Sequence, residues 1–131
     1  MTWFVAFCRR AVVPTCIFFI LSCATTRVPG SLRGYDIVIE PKDLQSLELA
    51  YVMRRYGFHV RESVRGGSRP TAALIYFLYS DPGREQPVSL HVRLADTRSG
   101  AILRSGTVQL DSSVASTRTR AIAAINAILE P

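Results

Sequence analysis

The residues able to do chemistry are few and scattered: His59 and His91, cysteines at positions 8, 16 and 23, and the carboxylate pairs Asp36 with Glu40 and Asp81 with Glu85. An imidazole beside a carboxylate can move protons, and histidines with a second ligand at helical spacing can hold zinc. Both histidines stand alone on strand-like segments, and carboxylates four residues apart recur by chance on any solvated surface. There is no Gly-x-Ser-x-Gly elbow and no phosphate-binding loop. The sequence therefore assigns no catalytic residue, no metal ligand and no cofactor, and the chain reads as a non-enzyme. A minor hydrolase or its accessory is the competing class, and it requires His59 and His91 to converge with a carboxylate.

Cys23 differs from the other candidates in what precedes it. The basic pair Arg9-Arg10 is followed by the apolar run Ala11 to Ser22, far shorter than the roughly 20 residues that cross a bilayer. Extending the run back to Thr2 would place two arginines in hydrocarbon, at about 2.5 to 3.5 kcal/mol each. Cationic residues, a short apolar stretch and a small residue at the boundary make a secretory signal. The arginine pair lacks the rest of a twin-arginine pattern.

The ending Ile20-Leu21-Ser22-Cys23 resembles the bacterial lipobox. That resemblance implies a signal peptide over residues 1–22, cleavage before Cys23, and lipidation of the Cys23 thiol with palmitate-type chains. Acyl chains contribute about 0.8 kcal/mol per buried CH2, and two or more anchor stably. Cys8 and Cys16 leave with the signal, so the mature chain has no thiol pair for a disulfide. Ala24 after the cysteine is similar to the outer-membrane sorting class, which implies an outer-membrane lipoprotein facing the periplasm. An inner-membrane anchor, an uncleaved signal and plain secretion stay open alternatives.

Residues 23–33 read as lipidated cysteine and tether, punctuated by Pro29-Gly30. Residues 34–131 suffice for one small domain. Tyr35 to Glu40 is a strand ended by Pro41; Asp43 caps a helix running to Tyr56, and Gly57 stops it. Phe58 to Ser63 alternates and returns as a second strand, parallel to the first through a right-handed crossover. Ala72 to Tyr79 is continuously apolar, which predicts a central strand covered on both faces. Val88 to Ala95 alternates, Asp96 to Gly100 makes a hairpin turn, and Ala101 to Leu110 completes the pair, with a bulge expected near Gly106. A last helix is expected over Ser113 to Leu129, capped by Asp111 or Ser112. The sum is a single α+β domain, a mixed sheet of about five strands in the order β-α-β-β-β-β-α, with two helices packed on one face.

The first helix carries two apolar stripes, Leu44, Leu47 and Tyr51 on one side and Leu49, Met53 and Tyr56 nearly opposite. One sheet cannot bury both, so Leu49, Met53 and Tyr56 are a candidate partner face. Arg118 falls within the apolar stripe of the last helix and is expected to bind an anion or pair with a carboxylate. Arg54, Arg55, Arg61, Arg65 and Arg69 are opposed locally by Glu62 alone and form a candidate anion-binding cluster toward phosphate headgroups or lipopolysaccharide. No nucleic-acid-binding motif accompanies these arginines, and export removes the usual nucleic-acid target.

The segment Leu90-His91-Val92-Arg93-Leu94-Ala95-Asp96-Thr97-Arg98-Ser99-Gly100-Ala101-Ile102-Leu103 is similar to a strand, Asp-x-x-x-Gly turn and strand shared by several small envelope lipoproteins of Gram-negative bacteria. With the lipobox, it makes the chain resemble auxiliary and assembly-helper lipoproteins of the outer membrane. Ile102-Leu103-Arg104 stands where helpers that activate cell-wall synthases often carry an aromatic. The resemblance implies a non-catalytic module held at the membrane by its lipid, binding an envelope protein. The alternative is a surface binder of anionic lipid or lipopolysaccharide.

Overall fold

A computed structural model describes residues 28–83, 85 and 87–130. Cys23 and the signal segment lie outside the described residues. The domain is α+β: a mixed five-stranded sheet with two helices on one face. Strands β1 (Asp36–Val38), β2 (Val60–Arg61), β3 (Thr71–Tyr79), β4 (Ser89–Asp96) and β5 (Ile102–Gln109) stand in the order β2-β1-β3-β4-β5. β1 is parallel to both neighbours, as the crossover through helix α1 (Leu44–Arg55) requires, and β3, β4 and β5 form an antiparallel meander.

Local chemistry sets the boundaries. The Asp43 carboxylate accepts from the Ser46 backbone N–H at 2.8 Å, and the Ser46 hydroxyl accepts from the Asp43 N–H at 3.0 Å, a reciprocal cap that starts α1. Gly57, at φ +95°, ends it. In the β4–β5 turn, the Asp96 carboxylate accepts the N–H groups of Arg98 and Ser99, and Gly100 takes φ +73°. The expected last helix is divided. Asp111 caps a 3-10 turn over Ser112–Val114, and Ser116 then caps helix α2 (Thr117–Leu129) separately.

Ile37, Ala72, Leu74, Leu90, Val92 and Leu94 meet the helices across the core. The helices run alongside one another: Gln45 Nε2 donates to the Thr117 carbonyl near their starts, and Tyr56 Oη donates to Asn126 Oδ1 near their ends. Buried Ala121 and Ala124 keep the approach close. Gly106 does the same for β5, because a Cβ there would lie 2.9 Å from Ala127 Cβ. The bulge sits at Leu103, between Arg104 paired to Leu94 and Ile102 paired to Ala95; Gly106 is required by the helix above it.

Three expectations are corrected. Leu49 and Met53 are fully buried and Tyr56 is half-buried, so the stripe taken as a partner face is the core stripe; Leu44 and Leu47 are the exposed ones, at 62% and 55%. β3 is central, yet only one of its faces is covered: Ile75, Phe77 and Tyr79 are exposed. The tether is shorter than expected, because a 3-10 turn over Gly30–Leu32 puts Leu32 in the core at 2% exposure and Val28 packs against it. Among the described residues, no helix is long and apolar enough to cross a membrane.

Candidate functional site

The helices leave one sheet face without a second layer, and chain register decides which side chains reach it. Asp36, His59, Arg61 and Thr71 lie on that face at the β2–β1 side, and Ile75, Phe77, Tyr79, His91 and Arg93 toward β4. The two regions behave differently.

On β1, Asp36 is 1% exposed although no helix covers it. Its Oδ1 lies 3.1 Å from His59 Nδ1 and 3.3 Å from Arg69 Nε, and its Oδ2 lies 3.1 Å from Arg61 Nε. None of these approaches has hydrogen-bond geometry, so the hold is chiefly coulombic. Two guanidiniums and an imidazole thereby fasten the 62–70 loop across the start of β1, where Asp36 N–H also donates to the Pro70 carbonyl at 2.9 Å. Arg69 Nη2 reaches the Arg33 carbonyl, and Arg98 Nη2 reaches that of Gly67, each at 3.5 Å. This cluster is a structural clasp.

Toward β4 the face stays open. The Phe77 and His91 rings stack across the β3–β4 pair, centroids 4.9 Å apart with their planes nearly parallel, and the Arg93 guanidinium lies 5.8 Å from the Phe77 centroid. Ser89 and Thr107 hydroxyls lie 3.1 Å from the two ring nitrogens of His91 and fix its plane. Phe77, Tyr79, Val88, His91, Arg93 and Gln109 line a shallow groove, and no carboxylate is among its described lining residues. Such a groove can cover an apolar side chain with Phe77 and Tyr79 and hold a carboxylate with Arg93.

The five arginines expected to cluster are divided. Arg54, Arg61 and Arg65 share one shallow depression with Glu62, while Arg69 and Arg61 serve Asp36. Arg55 turns back to Tyr51, donating to its hydroxyl at 3.4 Å. Arg118 pairs with Glu48 at 3.2 Å and covers the same ring. His59 and His91 do not converge, since β1 and β3 stand between their strands, about 14 Å at ordinary strand spacing. No group of three or more metal-ligating side chains gathers among the described residues. Asp36 and Glu40 are likewise apart: the Glu40 carboxylate pairs with Lys42 at 3.0 Å, beyond the other end of β1.

The open groove was missed because an unbroken apolar run reads as doubly covered. The contrary signal lay in β4, where Ser89, His91 and Arg93 alternate with core residues; register sets His91 against Phe77 and Arg93 against Ile75, and a sealed face would not hold them. No protein-family model matches the chain, and no curated protein or solved structure matches it.

Proposed function

We propose that this chain is a non-catalytic accessory module of a bacterial cell envelope, tied to the periplasmic side of the outer membrane by lipid on Cys23, which holds a partner protein on the open face of its sheet. The observation that carries the binding reading is the exposure of Ile75, Phe77 and Tyr79 together on β3, beyond its pairing with β1 and beside Arg93 and His91 of β4. Large apolar side chains grouped on a rigid sheet face and rimmed by polar groups are what interfaces use. The all-basic and neutral lining favours a segment that presents an apolar side chain next to a carboxylate. Support for the anchor is the signal grammar ending at Cys23. The residue chemistry supports the non-catalytic reading: His59 is committed to a buried carboxylate and His91 to a ring stack.

Two measurements test this. A photo-reactive phenylalanine analogue at Phe77 in cells should give one discrete protein adduct that Arg93→Glu abolishes, with none from the same analogue at Ile122 on α2. Equal adducts at both positions, or an adduct indifferent to Arg93, would refute the docking face. Palmitate labelling of the intact chain beside Cys23→Ser tests the anchor; equal labelling of the two, or none in either, removes it.

A further inference from the structure

The fold sorts charge along the strand direction. β1 and β3 begin at one end of the sheet, the β4–β5 turn lies at that end because Ala72 pairs with Asp96, and both helices finish there. Arg33, Arg69 and Arg98 are gathered at this end by the carbonyl contacts of Arg33 and Gly67, and the last turn of α1 adds Arg54, while Arg55 turns back toward Tyr51. Of the carboxylates here, Asp36 is buried under its clasp and Asp96 accepts Tyr35 Oη at 2.9 Å and two turn N–H groups, while Glu130, just past the last turn of α2, is exposed. At the opposite end stand Glu40, Asp43, Asp81, Glu85 and Asp111, with Lys42 bound to Glu40 and Arg120 in the depression that Asp111 lines. One end is cationic and the other acidic.

The chain enters the domain at the cationic end. The turn over Gly30–Leu32 leads straight into β1, with Tyr35 N–H donating to the Leu32 carbonyl at 3.0 Å. Any anchor upstream of Val28 therefore holds the arginine-bearing end nearest the bilayer.

From this we infer that the end formed by Arg33, Arg54, Arg69 and Arg98 seats on anionic lipid headgroups, so that the strands stand away from the membrane and the Phe77 groove faces sideways. The inference rests on the anchored reading above and adds the lipid surface and the orientation. A guanidinium suits headgroup phosphate because its planar donors match the oxygens. The acidic end is repelled by the same surface, so anchor and field select one orientation. The attraction is between exposed charges and falls with salt, as the screening length shrinks from about 10 Å at 0.1 M to about 3 Å at 1 M.

The test uses purified, acylated full-length protein on phosphatidylcholine vesicles with or without phosphatidylglycerol. Processing removes Cys8 and Cys16 and acylation blocks Cys23, so a thiol fluorophore reports only an introduced cysteine: Ser99→Cys at the cationic end or Ser80→Cys at the other. A lipid-borne quencher should dim the Ser99 label on phosphatidylglycerol vesicles, far less so in high salt, and leave the Ser80 label bright. The double reversal Arg33→Glu with Arg98→Glu should return the Ser99 signal to its value on neutral vesicles. Equal quenching at both sites, or quenching indifferent to phosphatidylglycerol, overturns the orientation. Release by inorganic phosphate beyond that by chloride at equal ionic strength would point to a discrete anion site and overturn the surface reading. Sedimentation with neutral vesicles reports the anchor separately. If it fails, the native thiols take the label too, and cosedimentation of the unlabelled protein with phosphatidylglycerol vesicles, lost in the Arg33→Glu with Arg98→Glu protein, decides instead whether the arginines bind.

Discussion

Two side chains, Tyr76 and Asp43, give the fold a pH signature. Tyr76 Oη donates to Asp43 Oδ1 at 2.6 Å, joining β3 to the cap of α1. The tyrosine bond and the Ser46 N–H hold the Asp43 carboxyl below its ordinary 3.8, while burial and then the Asp43 bond push the Tyr76 phenol up to about 12. A lowered carboxyl contributes stability above its unfolded pKa and loses it as pH falls through the folded value; a raised phenol contributes below 10 and loses it as pH climbs toward 12. The pair therefore contributes fully from about pH 5 to 9. Urea unfolding across a pH series should show Tyr76→Phe losing stability on that plateau, with a smaller acid decline that is complete at higher pH, because Asp43 loses the largest cause of its depression. An acid limb unchanged by the substitution would show that the two groups do not share a proton. The Asp36 clasp follows different logic: its two guanidinium partners are partly solvated, so its value is the fixing of a loop more than net energy.

At the scale of elements, a glycine shows how packing overrides propensity. Gly106 lies mid-strand, where valine would ordinarily favour β structure. A Cβ at 106 meets Ala127 Cβ at 2.9 Å and the Ala127 backbone at 3.0 and 3.1 Å, so α2 would have to lift off the sheet. Gly106→Val should lower stability by about 1 to 3 kcal/mol, the usual cost of overpacking. Ala127→Gly should restore only part of it, since the backbone atoms remain; thermal unfolding reads both, and a Gly106→Val protein as stable as the parent would mean α2 is not seated there. The same competition explains what the sequence revealed. Strand number, the parallel crossover, the Asp43 cap, the Gly57 stop and the Gly100 turn were legible because each is decided by neighbours in the chain. Which stripe of α1 turned inward was not, since Leu44, Leu47 and Tyr51 have the same period as Leu49, Val52 and Met53. The choice belongs to the sheet and to α2, with Arg118 and Arg55 shielding the outer Tyr51. The open face of β3 was hidden for the same reason, and the arginine cluster divided because a buried Asp36 drew two of its members.

For the whole molecule, the governing length under the proposed anchoring is the distance from the lipid to the folded body. Val28 packs against the core that holds Leu32, and from Cys23 to this first described residue the chain has five steps, at most about 18 Å fully extended, half of what a tether to residue 33 would allow. Under the anchored reading proposed above, a domain so closely held would meet partners embedded in, or lying on, the same membrane. The effective concentration of the Phe77 groove toward such a partner is set by this leash, and beyond the matching length it falls roughly as the −3/2 power. Ten Gly/Ser residues inserted after Ala24 add a flexible coil of about 17 Å root-mean-square span. They should leave urea stability unchanged, since no described contact is touched, while several-fold weakening the Phe77 cross-link to a membrane-held partner. Cross-linking that instead rises with the insertion would place the partner farther out, in the cell-wall layer, and would require the short leash to act as a restraint on binding.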